Sequence, residues 1–464
     1  MKSLELQSTK ANLFNTFEKD TIDRNKDIFH FVNLLNYIED NCSIALDGEW
    51  GCGKTFFVKQ VKMVLDAYNE YIDFHDEAES IRVRACFEKS HPKVNDLLID
   101  IQPQISIYYD AWSNDNDIDP ILSLVYVILQ SVSTDYSFKQ KHDYLKIAAS
   151  IIDFFTGKNT TVLTESFKRS DFLESLKNQK DVHNLVTDFL ESLLIERGNR
   201  LVIFIDELDR CKPSYSVQLL ERIKHYFNNE RITFAFSINT EELQHTINRY
   251  YGDGFDSCKY LDRFFDLKLS LPPINLDKYF EYIGFNSSDN IFDFICGKVI
   301  KQYHFEMREI VKFVRLTKIA AYKPTHDYRY DWSFPSQKGV LFCLMYIVPI
   351  MIGLKIKSHS LFSSFINGHD SSPMIEILSS EEISIYKQFL RQNETFDPKE
   401  NNSSLLHIKP EDKLQEIYNA LFVELYDKNE TQKYIGSVSF NKSTRAYLLR
   451  IISLLSDFAD FDIK

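Results

Sequence analysis

Glycine is scarce in this chain, at 13 of 464 residues, so three of them inside six positions (Gly48, Gly51 and Gly53) stand out. The seven cysteines (Cys42, Cys52, Cys86, Cys211, Cys258, Cys296 and Cys343) are odd in number, scattered, and contain no Cys-x-x-Cys pair. That spacing argues against a disulfide framework and a zinc site, and it suits reduced thiols in a cytoplasmic setting. The histidines form no His-Glu-x-x-His cluster, so no dedicated metal site other than one for magnesium is expected. Positive charge is in deficit, with a net charge of −13 and a pI near 5.5. So acidic a chain has no general electrostatic footprint for nucleic acid or anionic membrane, and no direct nucleic-acid partner is expected. The first 30 residues are too polar for a secretory signal. The longest uncharged run, Gly339–Leu354, is interrupted by Pro349. It falls short of the roughly 20 apolar residues a spanning helix needs, so a buried helix and no membrane span are expected. Internal repeats and low-complexity tracts are absent.

What is present is a globular composition, 44% hydrophobic and 26% charged, over a length that suits two or three domains. The most informative stretch is residues 44–60. Gly48, Gly53, Lys54 and Thr55 fit G-x-x-x-x-G-K-[ST] without a gap. The apolar run Ile44-Ala45-Leu46 before them suits a buried parallel strand. Phe57, Val58, Val61, Val64 and Leu65 after them recur at helical spacing. Strand, loop and helix are the context in which this motif binds phosphate. Glycines allow the φ values that turn successive N–H groups inward, so the loop cups phosphate oxygens at the positive end of a helix. Lys54 adds a cation for the β/γ-phosphates and Thr55 a hydroxyl ligand for Mg²⁺.

Along the chain, Phe29, Val32, Leu35 and Ile38 give an apolar helix face from Asp27 to Glu39. Asp20-Thr21-Ile22-Asp23-Arg24 precedes it, placed to fold over the base of a nucleotide. After a charged region (Glu77–Lys93), a second strand, Ile105–Tyr109, runs into Asp110-Ala111-Trp112. Pro120 then opens a helix with Ile121, Leu124, Val125, Ile128 and Leu129 on one face. Residues 132–200 read as several helices. The uninterrupted run Leu201–Ile205 suits a central strand buried on both faces, and it ends at Asp206 and Glu207. A helix, Pro213–Phe227, and a strand, Ile232–Ile238, follow, ending at Asn239. A fifth strand, Phe265–Leu271, stops at Pro272-Pro273, a natural boundary. Beyond it the pattern is helical (278–283, 291–301, 307–321, 339–356, 381–391, 414–425 and 444–458), with polar loops at Ser358–Pro373 and Asn393–Ser404.

A phosphate loop alone implies nucleotide; an acidic strand end beside it implies hydrolysis. Asp206 is placed to hold the Mg²⁺ shell, and Glu207 to polarise a water for in-line attack on the γ-phosphate. Asn239 suits either a polar sensor of the γ-phosphate or a cap for the helix after it. Arg210 and Arg263 are the arginines expected nearest this edge. Either can stabilise charge on the transferring phosphoryl group, from the same chain or a neighbour, and a surface ion pair is the alternative for each.

Taken together, these segments resemble the KAP family of P-loop NTPases. Gly48-Glu49-Trp50-Gly51-Cys52-Gly53-Lys54-Thr55 is similar to the family's G-x-W-G-x-G-K-[ST]. Tyr109-Asp110-Ala111-Trp112 ahead of Asp119-Pro120 resembles its aromatic-x-A-W and D-P segment. Phe204-Ile205-Asp206-Glu207-Leu208-Asp209-Arg210-Cys211 with Pro213 resembles F-I-D-D-L-D-R-C-x-P. Tyr260-Leu261, Phe264-Phe265 and Leu271-Pro272 resemble the segment that closes the domain, and Arg308-Glu309 fits an R-E pair beyond it. Two departures are visible. Residues 132–200 carry no spanning segment of the kind many members insert there, and Glu207 replaces a frequent Asp, which extends its reach toward an attacking water.

The resemblance implies an α/β P-loop NTPase core, a parallel sheet with flanking helices over residues 1–275, with a helical insertion at about 132–200 and a mostly α-helical region over 276–464. It implies ATP and Mg²⁺ bound by Gly48, Trp50, Gly51, Cys52, Gly53, Lys54, Thr55 and Phe56. Thr55 and Asp206 serve the metal; Glu207, Lys54, Asn239 and Arg263 serve catalysis. The choice of ATP over GTP rests on the family, since no guanine-reading N-K-x-D element occurs. Bacterial members implicated in phage exclusion suggest the ATPase of a defence system, whose protein partners are other defence components or further copies of itself. The alternative is a nucleotide-gated scaffold with little turnover, recruiting partners through its C-terminal helices. A small-molecule kinase fits less well, because it has no need of the Asp-Glu pair.

Overall fold

Leu201, Ile203 and Ile205 face one side of a central sheet, Val202 and Phe204 face the other, and all five are buried. This alternation is the period-2 geometry of a strand covered on both faces. The computed structural model describes residues 7–72, 77–90, 100–117, 119–135, 179–194, 198–272, 274–283, 291–322, 335–379, 410–424, 432–436 and 438–454. The chain divides into two compact units, residues 6–279 and residues 280–464.

The first unit is built on five parallel strands: β1 (Cys42–Asp47), β2 (Gln104–Asp110), β3 (Arg200–Asp206), β4 (Ile232–Ile238) and β5 (Leu267–Ser270). Their spatial order is β2-β3-β4-β1-β5. One face is covered by α1 (Lys10–Glu18), α2 (Asn25–Tyr37), α3 (Lys54–Tyr68) and α4 (Glu77–Lys89), whose apolar residues join Ile44, Leu46, Val202 and Phe204 in one core. The other is covered by α5 (Pro120–Asp135), α6 (Gln179–Leu194), α7 (Pro213–Tyr226), α8 (Thr240–Tyr251) and α9 (Ser257–Leu261), around Ile105, Ile107, Phe234 and Phe236. This is the expected α/β core of a parallel sheet with flanking helices. Two of its helices were not anticipated. The polar lead-in contains α1, whose Thr9 hydroxyl accepts from Asn12 N–H. The charged region contains α4, with only Ser80, Val83 and Phe87 buried. Most of the expected helical insertion, 136–178, lies outside the described residues.

The second unit is mainly helical, with Ile291–Gln302, Met307–Thr317, Pro335–Phe342, Val348–Lys357 and Lys442–Leu454 among its helices. The apolar run 339–354 is an interior helix as expected, and residues 341–354 are all buried. By length and composition Lys338–Lys357 would suffice to cross a membrane, yet 83% of its apolar window is buried inside the protein. A π turn, Cys343–Ile347, directly precedes Val348 and Pro349. It absorbs the register change a mid-helix proline imposes. Gly353 lets this helix lie close to Ile291–Gln302: a Cβ there would stand 2.4 Å from Val299 Cγ1.

Two expectations need correcting in this unit. The polar stretch 358–373 is not a loop but holds the helices His359–Ile366 and Ser372–Leu378. Each spans about two turns, too short for a sustained periodicity, and Phe362 and Phe365 anchor the first by burial. A hairpin, Gln432–Ile435 with Val438–Asn441, was also unforeseen, and it turns at Gly436 with φ +60°. The expected helix 381–391, the loop 393–404 and the end of the last helix, 455–458, lie outside the described residues.

Asp293, on Ile291–Gln302, is only 5% exposed, and burial raises its carboxyl pKa to about 6, with Lys318 pulling it back weakly. A free aspartate titrates near 3.8. Between those values the folded unit keeps a proton that the unfolded chain has released. Stability therefore falls as pH rises through that window, by about 3 kcal/mol in all. Asp293→Asn is expected to flatten this dependence, which denaturant midpoints at about pH 4 and pH 7.5 would show. Parallel midpoint shifts in parent and variant would refute the assignment.

Candidate functional site

The parallel register brings the critical residues to one edge. Asp47 pairs with Ile238, Asp206 with Ser237, and Asp110 with Asp206. Gly48, Asn239 and Glu207 therefore leave the sheet at one level, at the carboxyl ends of β1, β4 and β3. Open α/β sheets bind ligands at that edge. The acidic strand is not beside the loop strand, as the sequence suggested, because β4 lies between them. Two strand spacings separate β1 from β3, roughly 10 Å, which leaves room for a triphosphate between loop and carboxylates.

The loop is shaped by its glycines. Gly48 N–H donates to Ile238 O at 3.2 Å, and a Cβ on Gly48 would meet Cys52 Sγ at 2.8 Å. Gly51 and Gly53 both take φ +90°, a conformation that L side chains rarely adopt. Gly53 caps α3, and the first helical hydrogen bond runs from Phe57 N–H to Gly53 O at 3.0 Å. The N–H groups of Lys54, Thr55 and Phe56 thus belong to the end turn, where a helix has no carbonyl of its own to offer them. Lys54 is 8% exposed, and its Nζ donates to Gly48 O and, at 2.9 Å, to Glu49 O. Thr55 is half-buried in the first turn of α3. The Phe56 ring is buried, so its share in a phosphate site is its backbone N–H.

Asp206 is 1% exposed, and both its oxygens are engaged. Oδ2 accepts from Tyr108 OH at 2.8 Å, and Oδ1 accepts from Glu207 N–H at 3.1 Å. Burial, together with the charge of Asp206, pushes the Tyr108 hydroxyl pKa well up, so Tyr108 remains a donor. Glu207 takes φ +61°, ψ +24°. A left-handed conformation costs a non-glycine residue about 1–2 kcal/mol, and here it turns the chain sharply off β3 into the short 3₁₀ turn Leu208–Arg210. Glu207 Oε2 meets Arg210 Nε at 2.5 Å, with both side chains 18% exposed. Asn239 caps α8, its Oδ1 accepting from the N–H groups of Glu241 and Glu242 at 3.1 and 3.2 Å. The cap is realised, and the same residue stands between loop and acidic pair.

Two exposed tryptophans are accounted for by Arg210. Its guanidinium carbon lies 5.6 Å from the ring centroid of Trp50 and 5.6 Å from that of Trp112. Both contacts are within cation–π range. Trp50 also donates its indole N–H to Asp209 Oδ2. Burial raises the Asp209 pKa, and that hydrogen bond and Lys54 oppose the rise.

Of the predicted site residues, Gly48 through Phe56, Asp206, Glu207 and Asn239 share this edge, and Arg210 joins them. Arg263 does not. It is exposed and lies just before the start of β5, where Asp266 N–H donates to Ser43 O at 2.8 Å. Parallel pairing of β5 with β1 puts that position at the amino ends of the strands, the edge opposite the loop.

Three residues outside the predicted set belong to the site. Tyr108 is one, and its only sequence signal is its place near the end of a strand. Asp209 is the second, legible as part of the acidic signature. Arg24 is the third. It is 1% exposed, and its Nη2 donates to Cys52 O at 3.0 Å and Pro272 O at 2.7 Å. Its Nε and Nη1 have no partner among the described residues, and burial lowers its pKa. The sequence places the segment Asp20–Arg24 near the nucleotide, but nothing in it marks Arg24 as the residue that holds a loop carbonyl 28 residues away.

The donor set fits a magnesium nucleotide. A Cβ at Gly48 would meet Cys52 Sγ at 2.8 Å, the end turn of α3 supplies N–H donors, Thr55 stands in that turn, and the Asp206 carboxylate ends β3 at the same sheet edge. Comparison with known proteins gives a family described as "KAP family P-loop domain", which matches residues 24–289. No curated protein matches the chain. A solved structure titled "Structure of Drosophila ORC bound to GC-rich DNA and Cdc6" is similar over 82% of this chain and 52% of that one, at 11% identity and a TM-score of 0.32. The chain spans about half the length of that relative.

Proposed function

The chain belongs to the KAP family of P-loop NTPases, and from that premise we propose that it binds Mg²⁺-ATP and hydrolyses it. One observation carries the reading: the phosphate loop and the Asp206–Glu207 strand end leave the same sheet edge with one strand between them. The end-turn N–H groups and Lys54 hold the β- and γ-phosphates. A magnesium ion, when bound, neutralises charge on those oxygens, with Thr55 and Asp206 as the residues to hold it. Tyr108 fixes the Asp206 carboxylate by its hydrogen bond. Glu207 accepts the proton of a water attacking the γ-phosphorus, as the bond to the β–γ bridging oxygen breaks and ADP and phosphate leave. Phosphate release by the purified chain with Mg²⁺-ATP, set beside nucleotide affinity, tests this directly. A folded chain that neither binds the nucleotide nor releases phosphate would sink it.

A second reading, an ATP-gated scaffold with little turnover, is favoured by the Glu207–Arg210 ion pair, which occupies the base. Tight binding with negligible release would select it. In the first reading hydrolysis drives a conformational or assembly switch; in the second, bound nucleotide lets the C-terminal helices recruit partner proteins. Seven free cysteines fit a reducing, cytoplasmic setting for either. The family resemblance supports a role in anti-phage defence. Plaquing efficiency on cells carrying the parent or Lys54→Ala tests that role.

Arg263 lies at the sheet edge opposite the phosphate loop, which leaves it a surface ion pair or a role across an interface. Arg263→Ala is therefore expected to leave turnover within about two-fold in dilute solution, where an arginine acting on the phosphates in the same chain would cost about 10³-fold. A large loss at concentrations where the chain is monomeric would restore it to the site.

A further inference from the structure

On the reading of Glu207 as the water-polarising residue, we propose that Arg210 is a positioning residue that keeps the Glu207 carboxylate latched until the phosphate loop displaces Trp50. The ion pair holds one carboxylate oxygen, Oε2, 2.5 Å from the guanidinium Nε, which sets where the carboxylate points, whereas a general base must be aimed at its water. The guanidinium lies 5.6 Å from each of two rings that belong to different parts of the fold. Trp112 is anchored to the sheet. Its neighbour Ala111 donates its N–H to Asp206 O at 2.9 Å, and Ser113 N–H is held by Asp110 Oδ1 at 2.9 Å. Trp50 belongs to the phosphate loop itself, between the Gly48 carbonyl that holds Lys54 and Gly51 at φ +90°.

Trp50 acts on Arg210 twice, through its ring face and through the indole N–H that holds Asp209, the preceding residue. Any rearrangement of the loop around phosphate therefore alters one wall of the clamp and the tether of the adjoining backbone. The other wall stays fixed to β2 and β3. The element has two states, ion pair made or broken, and the loop biases it by contacts made in only one of them. Arg210 is the link between the half of the site that binds and the half that reacts.

Tryptophan emission reads this without turnover. Trp332, outside the described residues, is replaced by Phe throughout, and Trp112→Phe leaves Trp50 as the reporter. In that background Glu207→Gln, which cannot form the ion pair, is expected to change Trp50 emission in the absence of nucleotide. A non-hydrolysable ATP analogue with Mg²⁺ is expected to change it in the same direction. In chains that keep Trp112, Arg210→Ala is expected to raise kcat roughly 3- to 10-fold with KM within about 2-fold, the pattern of a released ground-state restraint. Arg210→Lys, which keeps a cation between the rings without the Nε donor, falls between. Unfolding temperatures establish that each variant is folded, and the Glu207→Gln emission arm stands should Arg210→Ala fail to fold. Trp50 emission indifferent to Glu207→Gln, or a kcat for folded Arg210→Ala at or below the parent's, overturns the latch. Absence of nucleotide binding by titration calorimetry would instead overturn the ATPase reading, and the nucleotide-free emission result would still decide whether Trp50 is coupled to Glu207.

Discussion

Lys54→Ala is expected to reduce ATP affinity about 10²-fold or more and turnover at least 10³-fold. Lys54 is 8% exposed and held by two loop carbonyls, so its cation is already placed at the mouth of the helix end turn. Charge-assisted hydrogen bonds contribute about 1.5–3 kcal/mol each. Two to phosphate oxygens amount to about 3–6 kcal/mol, or 10²- to 10⁴-fold. Alanine also leaves the Gly48 and Glu49 carbonyls without their donor, which loosens the loop that presents the backbone N–H groups. Calorimetric titration and phosphate release measure the two losses, and an unfolding curve separates them from misfolding. A folded Lys54→Ala chain that binds and hydrolyses like the parent would remove the loop from the chemistry.

Glu207→Gln is expected to divide what Lys54→Ala joins. The amide keeps the shape of the side chain but cannot take a proton, and general-base loss costs about 10²- to 10⁴-fold in kcat. The phosphate-binding groups are untouched, so affinity for Mg²⁺-ATP should stay within about three-fold of the parent, a change in kcat without one in binding. Parent-rate hydrolysis by Glu207→Gln would assign the base elsewhere. Loss of binding in step with turnover would give Glu207 a structural role, through the left-handed turn it occupies after β3.

Much of the site was legible because its chemistry depends on backbone freedom and local order. Gly51 and Gly53 at φ +90° are where glycine is favoured, and Gly48 is where a Cβ would crowd Cys52 Sγ at 2.8 Å. A gapless motif between an apolar strand and an apolar-periodic helix therefore located the loop. The run Leu201–Ile205 was legible as a buried strand because burial on both faces demands uninterrupted apolarity. Arg263 was misplaced for a topological reason. Closeness in sequence to a strand says nothing about which end of it faces the site, and parallel pairing with β1 sends this residue to the far edge. Arg24 was missed because its contacts with Cys52 and Pro272 span 28 and 248 residues of chain.

The amino-acid sequence by itself determined the phosphate loop, the acidic strand end and the parallel α/β core, because each is written in consecutive residues whose spacing obeys a local period. Tertiary structure alone decided that β4 stands between the two halves of the site, that Arg24 lies under the loop, and that Arg210 holds Glu207 between Trp50 and Trp112. Strand order, burial of a charge and a clamp between separate turns arise from packing across tens to hundreds of residues. Local propensities carry no information about such contacts.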